Sequence, residues 1–334
     1  MTDGLDLVVT RPLIVRDPVV RLPFALGDRA LVEVGVAVEQ GAALAVRMRE
    51  VTAGPAGQRR RGRGGRSGPI EDGSARSGSW SSAQDGTVGE RLFELGGGWW
   101  FSRGTPDEEL GAPVAGVVRS IRPGSGLEFI ASGVAIAGTT ATGGPVRGRL
   151  EAIDARDGDL RAGAIDVGRA GAILIVGGRV DAEAITRARA MGVRGIVVGG
   201  MSEKVLQDLA ASDRRQLASV HRPPPFAVVV LHGPLRRPLD GSVRTILEAA
   251  VGREVAIVAD PPLLLLGEHD GPLPQIDPLA VWVTQGPLAG RSGRWAGRAG
   301  SRRFRAGVQL EAGFVLFPDG TQAAVPLGDL ERHA

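Results

Sequence analysis

From about residue 160 the apolar positions come in short solid runs separated by longer amphipathic stretches. Ile173-Leu174-Ile175-Val176 has no polar interruption, as expected of a strand covered on both faces. A helical period follows through Ala184, Ile185, Ala188 and Met191, with Asp181 placed to cap it and Gly192 to stop it. Ile196-Val197-Val198 predicts the next strand, and Ser202 caps a second helix through Val205, Leu206 and Leu209. Phe226 to Leu231 reads as a third strand, Ser242 to Val251 as a third helix ending at Gly252, and Val255 to Val258 as a fourth strand. Four strands with three intervening helices predict a small parallel sheet with right-handed crossovers. Ile175-Val176-Gly177-Gly178 and Val197-Val198-Gly199-Gly200 repeat one strand–helix unit.

The flanking regions follow a different rhythm. Leu13 to Val20, Leu31 to Val34 and Val36 to Val38 are short β-type runs, and strand-like sequence returns at Glu90 to Leu95, Trp99 to Phe101, Val114 to Ile121 and Leu127 to Ile136. Between them, residues 53–90 carry Arg59, Arg60, Arg61, Arg63 and Arg66 in a Gly- and Ser-rich background. Such a segment buries too little apolar surface to offset its ordering entropy, so a disordered insert is expected. Prolines from Pro261 to Pro278 predict a linker. Beyond it, Ala280 to Thr284, Val308 to Phe317, a Pro318-Asp319-Gly320 turn and Ala323 to Pro326 have the spacing of short strands in a small barrel.

Composition narrows the chemistry. The 334 residues include no cysteine and no tyrosine, four histidines and one lysine, Lys204; the other 39 basic residues are arginine. Thiolate chemistry and Cys-based zinc sites are excluded, and lysine-dependent catalysis has almost no room. Arginine lifts the isoelectric point to about 10.5 although the net charge is only +3, so that value is no argument for nucleic acid by itself. No run approaches the roughly 20 apolar residues of a spanning helix, and Met1 to Gly4 opens no signal-peptide pattern, so a cytoplasmic protein without membrane insertion is expected.

Candidate sites are few. Residues 281–310 hold Arg291, Arg294, Arg298, Arg302, Arg303 and Arg305 and no acid, with Trp295 and Phe304 among them to stack on bases. The Arg59 to Arg66 run has the makeup of an RNA-binding arginine- and glycine-rich segment. Gly177, Gly178, Gly199 and Gly200 sit where strands feed helix N-termini, an edge able to hold an anion on backbone N–H groups. His221, His232 and His333 read as solvated or structural, and the adjacent Glu268-His269-Asp270 has poor geometry for one metal ion. No catalytic set, metal site or cofactor is expected.

Three stretches resemble known families. Val281-Trp282-Val283-Thr284-Gln285-Gly286-Pro287-Leu288-Ala289-Gly290-Arg291-Ser292-Gly293 resembles the KOW motif, carried on SH3-like barrels of NusG-type elongation factors and several ribosomal proteins. That resemblance implies contact with RNA, a ribosome or a polymerase. Val34 to Leu44, with its "G-x-x-V-x-x-G-x-x-L" pattern, and Ala112 to Val118, with "P-x-x-G-x-V", resemble the two halves of a barrel-sandwich hybrid of the biotinyl/lipoyl type. No lysine stands where that family carries its cofactor, so a docking role remains and the carrier role does not. Gly177 to Ile185 is similar to the phosphohistidine segment of swivelling phosphotransferase domains, but Ala182 replaces the histidine, which removes phosphotransfer.

The expected architecture is multi-domain, mixed α/β and β. A barrel-sandwich-like β-domain spans 1–150, interrupted at 53–90. A small parallel α/β, swivelling-like domain spans 151–262, a Pro-rich linker 263–278, and a KOW/SH3-like β-barrel 279–334. The expected function is non-catalytic: an adaptor contacting RNA or ribonucleoprotein, with a protein partner also expected. The alternatives are an assembly subunit docking on proteins, and a nucleotide- or phosphate-binding enzyme at the Gly-Gly edge.

Overall fold

The computed structural model describes residues 4–11, 13–24, 28–55, 87–89, 100–122, 125–153, 159–178, 180–220, 224–233, 239, 241–268, 277–305 and 307–333. The chain is a mixed α/β, multi-domain protein that divides into two compact units. The first comprises Met1–Val20, Pro113–Ala115 and Ile130–Ala334, and the second Arg21–Ala112 and Gly116–Phe129.

The first unit is organised by a nine-stranded sheet. Its elements in chain order are β1 (Ile14–Arg16), β2 (Val134–Ala137), β3 (Thr140–Gly143), β4 (Val146–Ala152), β5 (Ala172–Val176), α1 (Ala182–Ala190), β6 (Gly195–Val198), α2 (Glu203–Val220), β7 (Ala227–Val230), α3 (Gly241–Ala249), β8 (Glu254–Ala259) and β9 (Pro262–Gly267). The strand order is β3-β7-β6-β5-β4-β8-β9-β2-β1. β4 to β7 run parallel, and the remaining pairings are antiparallel.

The apolar run of β5 serves two cores, because successive side chains point to opposite faces. Leu174 and Val176 pack with Ile196, Val198, Val228 and Val230 under Ala184, Ile185, Ala188 and Leu209 of α1 and α2. Ile173 and Ile175 pack with Val197 and Val229 against Val243, Ile246 and Leu247 of α3 and against Val255, Ile257, Leu264 and Leu266. Asp181 caps α1 as its sequence predicts, accepting from the Ala184 amide at 2.8 Å.

Two sequence expectations fail in this sheet. Val255 to Val258 is not a fourth parallel strand: β8 runs antiparallel to β4, which itself supplies the fourth parallel position. The residues at 263–267 are not linker: β9 pairs with both β8 and β2, and its leucines are buried. The prolines misled because Pro261 and Pro262 stand only at the strand's entry, where a missing N–H is tolerated. Residues 269–276 lie outside the described chain.

The same unit contains a six-stranded sheet built from β10 (Ala280–Val283), β11 (Ser292–Arg303), β12 (Gln309–Leu316), β13 (Gln322–Pro326) and β14 (Leu330–His333). Its sixth strand is N-terminal: Val9–Arg11 pairs parallel with β14, and Leu5 and Val8 join the core of Val281, Val283, Trp295, Val315, Phe317, Val325 and Leu330. The first residues therefore complete the C-terminal sheet rather than the adjoining β-domain of 1–150, and residues 130–150 group with the nine-stranded sheet.

Two four-stranded sheets fall mostly in the second unit. One contains Val19–Pro23, Gly126–Ala131, Gly116–Arg122 and Ala37–Val38; the other contains Arg29–Ala30, Ala43–Pro55, Trp100–Gly111 and Thr87–Gly89. Here the two separated sequence motifs meet. Ala37 pairs with Val117 and Val38 with Gly116, the Gly35 amide donates to Val118 at 2.7 Å, and the Gly41 amide donates to Ala112 at 2.9 Å. Within the stretch 53–90, expected to be a disordered insert, residues 53–55 and 87–89 are strand and the rest lie outside the described residues. Arg59, Arg60, Arg61, Arg63 and Arg66 lie outside the described residues, as does the strand expected at Glu90 to Leu95.

Candidate nucleic-acid interface

The six arginines read as one acid-free cluster are carried mostly by the β11–β12 hairpin and its approach. The structure divides them into two groups. Near the base of the hairpin every arginine meets an acid from outside the acid-free window. Arg291 bonds Asp319 at 2.5 Å and lies over the Phe317 ring at 4.0 Å. Arg294 reaches Asp277 at 2.6 Å, and Arg298 reaches Glu311 across the hairpin at 3.2 Å. Asp319 also accepts from the Thr321 hydroxyl and amide; those two bonds, with Arg291 adding to them, hold its carboxyl below the usual range.

The outer end is different. Arg302 pairs with Leu310 and Arg303 with Gln309, and the chain turns through Phe304 to Val308, closed by a Phe304 to Val308 backbone bond of 3.0 Å. Gly307 takes φ +78° in that turn, a conformation that other residues adopt at a cost. Arg302, Arg303 and Arg305 are exposed and form no ion pair with the described residues. Arg302 donates to the Ala299 carbonyl and lies 5.6 Å from the Phe314 ring centroid. Val308 is 50% exposed and Leu310 42%, so the outer end mixes cationic and aliphatic surface. The pairing is irregular at Trp295/Gly297 and at Arg298/Gly300, and the second irregularity lies between the groups. Bulges of this kind bend a strand and re-aim its side chains.

Trp295 does not stack on bases. It is 2% exposed and is the largest side chain in the core of its sheet. The indole lies over Gly313 on β12 so closely that a Cβ there would overlap its six-membered ring. Phe304 is half-buried in the hairpin turn.

At the Gly-Gly edge the glycine carbonyls are engaged. The Gly177 carbonyl accepts from the Leu239 amide at 3.0 Å and the Gly199 carbonyl from the His232 amide at 2.7 Å, while the Met201 amide donates to Gly233. At α1 the Asp181 carboxylate occupies the helix N-terminus where an anion would sit. His232, at the C-terminal end of β7, is buried with its ring edge-to-face against Trp282 at 3.8 Å, and the Trp282 Nε1 donates to Glu331 at 3.2 Å. His221 and His269 lie outside the described residues.

Among the described residues no group of three His, Asp or Glu side chains is placed to hold a metal ion, and no helix is long and apolar enough to cross a membrane. No protein-family model, curated protein or solved structure matches the chain. The acids that divide the arginines were visible as residues, but Asp277, Glu311 and Asp319 lie 17, 13 and 28 positions from their partners, beyond any local pattern.

Proposed function

We propose that the protein is a non-catalytic cytoplasmic adaptor that contacts RNA or ribonucleoprotein through the outer end of the β11–β12 hairpin. In this reading the six-stranded sheet is an SH3-like barrel with its KOW segment over Val281 to Gly293. The second unit is a barrel-sandwich hybrid without carrier function, and the α/β layer is a swivelling-like domain without its histidine. The observation that carries the proposal is the split among the arginines. Arg302, Arg303 and Arg305 are exposed and form no ion pair with the described residues, whereas Arg291, Arg294 and Arg298 are engaged. Cations free of local partners can neutralise phosphates and release the counterions condensed on the nucleic acid, so binding of this kind weakens steeply with salt.

The test is a fluorescence-anisotropy titration of the full chain with labelled single-stranded and hairpin RNA across a salt series. Salt-dependent saturation is expected. An absence of binding at low salt contradicts the proposal.

A second reading, a subunit docking on protein partners, has its own support in the second unit. Leu31, Val34, Val36 and Val117 are exposed there, and isolated protein surfaces tend not to gather aliphatic side chains around one hairpin. Stoichiometric co-purification of one protein that survives nuclease favours this reading over the first.

A further inference from the structure

The parallel strands β5, β6 and β7 all begin at one edge of the nine-stranded sheet, opposite the Gly-Gly edge. A cavity of about 530 Å³ lies there, lined by the residues that lead into the three strands: Gly171 before β5, Val193 and Arg194 before β6, and Pro224 to Phe226 before β7. Its size falls within the range of small-molecule sites, roughly 300–1,000 Å³. Its lining joins Arg189, Arg194 and Gln216 to Val193, Pro224, Pro225 and Phe226, of which Pro225 is the exposed apolar residue.

The two guanidinium groups differ in a useful way. Arg189 is fixed: it bonds Asp213 at 2.5 Å through Nη2 and lies over the Phe226 ring at 5.0 Å. Its Nε and the second Asp213 oxygen are buried without a hydrogen-bond partner. Burial raises the Asp213 carboxyl above the usual range against the pull of Arg189. Arg194 is exposed and forms no ion pair with the described residues. The lining carries two guanidinium groups and, among the described residues, no acid. The C-terminal end of α1, at Ala190, also lies at this edge and presents the negative end of its dipole. That favours a single negative charge over a double one.

We propose that this cavity binds a small organic carboxylate carried on a flat apolar body. The carboxylate takes Arg194 and Arg189, and the body lies against Pro225. The site is independent of the hairpin and of RNA.

The test is an amide ¹H–¹⁵N NMR titration of the full chain with benzoate, with benzamide and inorganic phosphate as comparisons. Benzoate is expected to produce saturable shifts centred on Gly171, Gly192, Val193 and Arg194. Because a charge-assisted hydrogen bond is lost, Arg194→Gln is expected to weaken binding by about tenfold or more. Arg194 is exposed, and the variant's own spectrum reports whether it is folded. Ala170→Trp, on the exposed lip of the cavity, is expected to abolish the shifts. The proposal is overturned if benzoate gives no saturable shifts at these amides, if benzamide or phosphate binds equally well, or if both variants bind benzoate as the wild type does.

Discussion

The base and the outer end of the β11–β12 hairpin have nearly the same composition and opposite surroundings. At the base, Arg291, Arg294 and Arg298 are matched by Asp319, Asp277 and Glu311, and Trp295 is packed beneath Gly313. At the outer end, Arg302, Arg303 and Arg305 face solvent beside Val308 and Leu310. Basic composition therefore does not define a binding surface. What matters is whether the fold brings an acid to each arginine, because a matched cation must give up its acid before it can neutralise a phosphate and release the counterions condensed on the nucleic acid.

The largest effect expected from breaking this contrast is at the buried end. Trp295→Ala removes the principal side chain of the C-terminal core and is expected to cost about 3–5 kcal/mol in denaturant unfolding. A loss near zero would mean that the indole is not the core residue described. Gly313→Ala tests the same packing from the other strand, with about 1–3 kcal/mol expected from overpacking. In both variants RNA affinity, measured under conditions where the protein remains folded, is expected to hold.

Next in size are the salt bridges. Arg294→Ala and Arg298→Ala are each expected to cost about 0.2–1 kcal/mol, the range of exposed pairs. Their RNA affinity is expected to change less than that of outer-end variants. A reversal of that ranking would erase the distinction between the two regions.

The smallest effect is a matter of pH. The carboxyl of Asp319 is held low by Thr321 and then by Arg291, so the folded state binds its proton less readily than the unfolded chain. Its contribution is fully present above the unfolded value of about 3.9 and is lost as pH falls through the folded one. The stability difference between wild type and Asp319→Asn should accordingly be constant near neutrality and shrink in acid. Asp213 sets the opposite case, because burial raises it. Its contribution is present at low pH and declines as pH rises through its folded value.

Much of the central sheet was legible in the sequence because its signals are local. The Asp181 cap, the Gly192 stop and the unbroken run of β5 each lie within a few residues of the element they define. The direction of β8 was not legible, because its partner β4 lies about a hundred positions earlier and antiparallel pairing leaves no mark on a short apolar run. The strand β9 was hidden by flanking prolines, and the sixth strand of the C-terminal sheet by its position at the other end of the chain. The arginine cluster was visible, but its division was not, since the acids come from β12 and from turns outside the window. The burial of Trp295 depended on Gly313, a residue whose absence of side chain gives no sign of what lies over it. The cavity before β5, β6 and β7 is likewise assembled from three separate loops.

The most direct test of the account sets two matched variants side by side. One reverses the outer arginines, Arg302→Glu, Arg303→Glu and Arg305→Glu; the other reverses Arg291, Arg294 and Arg298 to Glu. Each is checked for folding and titrated with labelled single-stranded RNA over a salt series. For the outer variant the slope of log affinity against log salt is expected to fall by about 2, at about 0.7 for each phosphate no longer neutralised, with a large drop in affinity at low salt. The base variant, if folded, is expected to keep most of the wild-type slope. Equal losses in the two variants, or an unchanged slope in the outer one, would contradict the claim that the end of the hairpin is the RNA-binding surface.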